Sequence, residues 1–189
     1  MSTIINADTS AGLKLTSDTS GEIKLQSAGA DIATVSSTGI AMASGKLLAS
    51  TGPAFSAYSS AAQTLSSATW TTIAFNTEVY DTNSNYNTST YAFTPTVAGY
   101  YNFTAVIRSS GATTRFYTQF MKNPDGGEEY YGNDFNFAAS SLNSNFSALI
   151  YMNGSTDSVV ARAFMQGGGG LTTGSGPEIQ YSAFLARAA

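Results

Sequence analysis

Residues 75–103, FNTEVYDTNSNYNTSTYAFTPTVAGYYNF, alternate between strand chemistry and turn chemistry. The strand that begins at the end of this stretch, GYYNFTAVIRS (99–109), puts Tyr101, Phe103, Ala105 and Ile107 on one face. Asn102, Thr104 and Arg108 lie on the other with Tyr100 and Val106, which is the period of a half-buried strand. TYAFTP (90–95) reads as a second, shorter strand, and DTNSNYN and TPTVAG supply the turns. Gly99, ahead of two tyrosines, suits a positive φ or a tight turn. Working outward, PAFSAYS (53–59), TWTTIAF (69–75), TRFYTQFMKN (114–123), NFSALIYMN (145–153), SVVARAFMQ (158–166) and EIQYSAFLARA (178–188) read as further strands. NPDGGEE, MNGSTD and GGGGLTTGSGP connect them. This pattern predicts an all-β fold, an antiparallel two-sheet sandwich or jelly roll.

Composition agrees. The 189 residues are 42% hydrophobic and 12% aromatic, enough to fill a core, while only 11% are charged. Leu-, Glu- and Lys-rich helical stretches are missing. Eight Lys and Arg against twelve Asp and Glu give a net charge of −4 and no basic face, which argues against a nucleic-acid partner. No window has the length and apolarity of a membrane-spanning helix, and MSTIINADTS has neither a basic nor an apolar leader region, so the expected protein is soluble and made in a cytoplasm. With no Cys there are no disulfides, and the sequons at Asn87, Asn102, Asn145 and Asn153 follow from an Asn/Ser/Thr-rich composition.

The N-terminus repeats itself. In DTSAGLKLTSDTSGEIKLQS (8–27) a ten-residue unit occurs twice, each a polar turn followed by an apolar-Lys-apolar triplet, Leu13-Lys14-Leu15 and Ile23-Lys24-Leu25. DIATVSSTG from Asp31 and GIAMASGKLLAS from Gly39 extend the pattern. Such short strands bury too little to stand alone and need neighbours to stack on. Gly52-Pro53 punctuates the change to longer strands, dividing the chain into a β-repeat stalk, 1–50, and a head, 51–189.

The stretch 75–103 resembles the signature of the complement C1q globular-head domain, a jelly roll related to tumour necrosis factor. Phe75, Asp81, Tyr86, Phe93, Gly99, Tyr101 and Phe103 stand at the signature spacings, and Ala105 replaces the final aromatic. PAFSAY is similar to the family's opening strand and YSAFLARA to its closing one, so the resemblance covers about 53–189. It implies a homotrimer in which one flank of each jelly roll packs on the next subunit. The collagen stalk common in that family is absent, because 1–50 has no Gly-X-Y period. Short β-repeats ahead of a small β head resemble instead tailed-phage fibres and capsid decoration proteins.

Without His or Cys, Ser-His-Asp triads, Cys-His dyads, Cys/His zinc sites and iron–sulfur clusters are excluded within the chain. Carboxylates remain. NPDGGEEYYGND gathers Asp125, Glu128, Glu129 and Asp134, which reads as a solvated hairpin loop and is the place to look for calcium, an ion the resemblance implies for some members. Adjacent glutamates on a strand point to opposite faces, which disfavours a glycosidase pair, and no enzymatic activity is expected. DTNSNYN begins like an EF-hand, but Tyr86 stands where Gly is needed and Ala92 where Glu is. GGGGLTTGSGP lacks the Lys-Ser/Thr ending of a phosphate loop.

The expected function is that of a bacteriophage virion structural protein on the particle exterior: a trimeric capsid decoration or cement protein, or a short head fibre. Its N-terminal segment would bind the major capsid protein through Leu13, Leu15, Ile23, Leu25, Ile32 and Val35, because a short stalk has little reach and a trimer suits three-fold points of a shell. The alternative is a receptor-binding tail-fibre tip that recognises a host surface glycan, with Trp70, Tyr80, Tyr86, Tyr130 and Tyr131 as sugar-facing candidates. A secreted C1q-like binder ranks below both.

Overall fold

The triplet Ile23-Lys24-Leu25 opens the first strand of a small antiparallel sheet, β1 (Ile23–Ser27), β2 (Ala30–Ser36) and β3 (Gly39–Met42). Ala28 and Gly29, both at positive φ, make the two-residue turn that matches strand twist between β1 and β2. A computed structural model describes residues 21–46, 52–127, 129–135, 139–167 and 172–189. Leu13 and Leu15, the first repeat's triplet, lie outside the described residues. The chain divides into two compact units, Met1–Ser50 and Thr51–Ala189.

In the first unit, register sorts the side chains. Ile23 pairs with Val35 and Val35 with Ile40, while Leu25 pairs with Ala33 and Ala33 with Met42. Directly paired residues share a face, so these six make one apolar face. The other face carries Lys24, Gln26, Asp31 and Thr34, with Asp31 accepting from Gln26 Nε2 at 2.6 Å and pairing with Lys24 at 3.3 Å. One layer buries little, and only Ala33 is buried in this sheet.

The second unit is a two-layer sandwich of β4 (Ala54–Ser59), β5 (Thr69–Thr72), β6 (Thr77–Asp81), β7 (Tyr86–Asn87), β8 (Ala92–Phe93), β9 (Gly99–Lys122), β10 (Glu129–Phe135), β11 (Ala139–Met152), β12 (Val159–Gly167), β13 (Thr172–Thr173) and β14 (Gly176–Ala188). The long strand β9 belongs to both layers. Its first half pairs with β14 and β11, giving a layer ordered β6-β4-β14-β9-β11; its second half pairs with β12 and β10, and β12 in turn with β5 and β8. Every pairing is antiparallel.

Between the layers lies an aromatic core. Phe55 stacks on Tyr86 and Phe93 at 4.4 and 4.6 Å, Phe103 meets Phe120 at 5.7 Å, and Phe120 meets Phe146 at 4.5 Å. Tyr181 contacts rings from both layers, and its hydroxyl crosses the core to donate to the Val159 carbonyl at 2.9 Å. Thr118 and Ser144 share a buried hydrogen bond of 2.6 Å across the same gap. Buried hydroxyls need such partners, because an unmade bond in the core costs more than a made one contributes.

Strand boundaries differ from the sequence reading where tertiary pairing overrides local composition. GYYNFTAVIRS and TRFYTQFMKN are one strand, continuous through Gly111 at φ +99°, where the pairing with β11 shifts register between Ala139 and Ser141. Inward-facing positions are odd up to Thr113 and even from Phe116 to Phe120, a change of face accompanied by a register shift at Gln166/Gly167. TWTTIAF is strand only over Thr69–Thr72, and TYAFTP only over Ala92–Phe93. The hairpin expected over NPDGGEEYYGND is confined to its start, since Glu129–Phe135 pairs with β9 as a full strand. Gly99 is not among the positive-φ residues; it opens β9, and a Cβ there would meet the Arg187 carbonyl and sit 2.8 Å from Leu185 Cδ1.

Candidate interaction surfaces

The signature residues serve the core. Phe75, Phe93, Tyr101 and Phe103 are fully buried, and Tyr86 is buried with its hydroxyl donating to the Phe75 carbonyl at 2.8 Å. Asp81 folds the following loop back, accepting from Asn83 N–H at 3.2 Å and Tyr86 N–H at 2.7 Å. Burial pushes the Tyr101 phenol up to about 12 and the Tyr86 and Tyr181 phenols further above their usual range. Tyr86 is therefore no sugar platform. Tyr131, also offered for that role, packs partly on the core and donates to Glu129 Oε2 at 2.7 Å.

Glu128 lies outside the described residues. Glu129 and Asp134 are five residues apart along β10, which separates their backbones by roughly 17 Å. Glu129 instead pairs with Lys122 at 3.4 Å, and Lys122 with the largely buried Asp157 at 3.1 Å. Asp157 also accepts from Asn123 Nδ2 and from Asn153 N–H. Burial raises its pKa, but these hydrogen bonds outweigh burial and hold it below the usual carboxylate range. Glu129 is lowered first by the Tyr131 hydroxyl and then by the Lys122 charge. Among the described residues no three acidic side chains converge.

What remains is surface. On the outward face of the β6-β4-β14-β9-β11 layer, Tyr151 pairs with Tyr100, and Leu149 and Phe184 flank Asn102. Leu149 is 60% exposed and Phe184 51%, with Tyr100, Tyr151, Val79 and Tyr80 also exposed on these strands. Tyr100 and Tyr151 meet edge to face at 5.5 Å, and a shallow cleft of about 300 Å³ is lined by Tyr100, Leu149, Ala186 and Arg187. A cluster of large apolar side chains on a sheet face marks an association surface. Its sequence signal is broken alternation: ALIYM (148–152) and AFLA (183–186) are apolar on both faces.

The outward face of the other layer differs. Trp70, Phe164 and Tyr117 stand side by side on β5, β12 and β9, with ring centroids 5.3–6.3 Å apart. The Arg162 guanidinium lies 4.8 Å from the rings of both Trp70 and Tyr130, and Gln119 faces it from β9. Of the proposed sugar-facing aromatics, Trp70 and Tyr130 are brought together here, while Tyr80 lies on β6 in the opposite layer. Among the described residues, no helix is long and apolar enough to cross a membrane.

Comparison with solved structures finds this architecture elsewhere. The globular domain of zebrafish complement 1qA protein is similar with a TM-score of 0.55 and 22% identity, over 73% of this chain and 99% of that one. Murine APRIL is similar with a TM-score of 0.55 and 8% identity, over 70% and 96%. The PRD1 vertex protein P5 is similar with a TM-score of 0.54 and 13% identity, over 94% of this chain and 88% of that one. At these identities the likeness is one of fold. Curated proteins give no significant match. The profile of the C1q domain matches residues 54–186, the sandwich with its opening and closing strands included, and the chain belongs to the C1q domain family.

Proposed function

We propose that this protein is a bacteriophage virion structural protein, a homotrimeric capsid decoration or cement protein or short head fibre on the outer surface of the shell. The observation that carries the reading is the apolar outward face of a C1q-type head, centred on Tyr100, Leu149 and Phe184, in a chain whose other unit holds, among its described residues, a three-stranded amphipathic sheet. Neither unit covers its apolar surface within one chain among the described residues, and both are served by assembly. The fold-level likeness to a phage vertex protein spans 94% of this chain, against 73% for the complement head, and supports a place on the shell. In this reading the head trimerises through the β4-β14-β9-β11 face and the N-terminal segment binds the major capsid protein. In this reading the head has no catalytic role, and two of its carboxylates, Glu129 and Asp157, are engaged in ion pairs with Lys122.

Locating the protein in an electron-microscopy map of the virion tests this. Density of threefold symmetry on the shell is expected. Density at the tail tip, with purified protein blocking adsorption to host cells, would favour the receptor-binding alternative. That reading is favoured by one observation, the outward Trp70, Tyr117, Phe164 and Arg162 cluster, which offers aromatic faces and guanidinium donors to a glycan.

A further inference from the structure

We infer that the head holds a saccharide-binding trough where β12 changes partner, and that its ligand is a neutral sugar chain. The inference does not rest on the assembly proposed above, whose contact face belongs to the opposite layer.

β12 pairs with β8 only at Val159 and with β5 only from Arg162 onward. The interval between those pairings holds a cleft of about 350 Å³, which falls in the range of roughly 300–1,000 Å³ typical of small-molecule sites. Val160 makes its floor: it lies on the outward side of β12 with Arg162 and Phe164, yet is only 3% exposed. Thr72, Thr90 and Thr94 stand around it with Pro124, Asp125 and Ser158. Two further clefts adjoin. One, of about 440 Å³, shares Thr90 and Thr94 and reaches Asn87 and Ser84; the other, of about 270 Å³, shares Asp125 and Ser158 and reaches Thr156. The shared residues make the three one continuous trough.

The backbone of its walls is already committed. Thr90 N–H donates to Asn87 Oδ1 at 3.1 Å, Thr94 N–H to the Asn85 carbonyl at 2.8 Å, and Ser158 N–H to Asn123 Oδ1 at 3.1 Å. Such bonds fix the walls before a ligand arrives. The side-chain hydroxyls are not committed. Among the described residues, those of Thr72, Thr90, Thr94 and Ser158 make no hydrogen bond to the chain, and each can both donate and accept. A sugar offers the same two capacities at every hydroxyl, and its C–H face suits the apolar floor at Val160. Neither Lys nor Arg lines the trough, so a phosphate, sulfate or carboxylate ligand would find no counter-charge there. The same hydroxyls disfavour a lipid or an apolar helix. Of the trough's two carboxylates, Asp157 is held by Lys122, Asn123 and Asn153, which leaves Asp125, exposed on its turn, to accept from neighbouring sugar hydroxyls.

The test presents the fluorescently labelled full chain to a printed array of neutral and acidic bacterial glycans, then titrates the strongest neutral oligosaccharide by calorimetry. Saturable binding to neutral glycans is expected, about tenfold weaker in Asp125→Asn and in Thr94→Val. Neither side chain bonds to the described chain, so both variants should keep the wild-type thermal transition. Trp70→Ala, in the aromatic cluster of the same layer, should bind as the wild type does. No binding to any neutral glycan would overturn the inference, as would binding confined to acidic glycans or undiminished in both trough variants. Loss of binding in a folded Trp70→Ala, with the trough variants unaffected, would move the ligand to the aromatic cluster and overturn it too. None of these results depends on where the protein sits on a virion, so the trough and the proposed assembly fail separately.

Discussion

Tyr181 is wholly buried, touches the rings of Phe55, Phe75, Phe103 and Phe120, and donates its hydroxyl to Val159 of the facing layer. Its phenol is held protonated by burial, as are those of Tyr86 and Tyr101. The unfolded chain ionises its tyrosines near pH 10 while the folded chain keeps these protons, so their contribution is whole below about pH 10 and is lost as pH rises further. Tyr181→Phe should cost about 1–2 kcal/mol at neutral pH through the lost hydrogen bond. Its stability in guanidinium titrations should then fall less steeply than the wild type's between about pH 10 and 11.5. Asp157 works in the opposite sense: its folded pKa is depressed, so its contribution is present above about pH 4 and is lost as pH falls through the lower folded value. Asp157→Asn should lower stability at pH 7 by about 1–3 kcal/mol and flatten its loss between about pH 4 and 2, as read by urea titration. Phe103 and Tyr101 were legible as core from alternation alone. Asp157 was not, because Lys122 and Asn123, which hold it together with the nearby Asn153, lie at the end of β9, with Asn123 34 residues away in sequence.

At the scale of elements, β9 organises the head, since it belongs to both layers and pairs with β10, β11, β12, β13 and β14. Its passage between layers runs through Gly111 at φ +99°, where a side chain is strained. Gly111→Ala is expected to lower the urea midpoint by an amount worth about 1–2 kcal/mol with an unchanged slope. The strands flanking this passage were readable from their period, but SSGATT (109–114) has the composition of a turn, and pairing of Ser110 with Ser141 and Thr172 and of Thr113 with Ala139 and Gly167 keeps it extended. The same competition explains β10. Asp-Gly-Gly signals a turn, and the chain does turn there, yet Glu129 to Phe135 is extended by its ladder with β9.

For the whole molecule, the proposed assembly covers apolar side chains that one chain leaves exposed, Leu149 and Phe184 among them. Leu149 and Phe184 contribute little to the fold of one chain, being 60% and 51% exposed, so the double variant Leu149→Asp/Phe184→Asp should keep its far-ultraviolet circular dichroism while losing subunit association. The patch itself was hidden in the sequence, because ALIYM and AFLA read as ordinary buried strands until the layers show which side is inward. Sedimentation velocity of the full chain at micromolar concentration is the most direct test. A single species at three times the chain mass, falling to one chain mass in the Leu149→Asp/Phe184→Asp variant, is the predicted result. A stable, folded monomer across the same concentrations would contradict it.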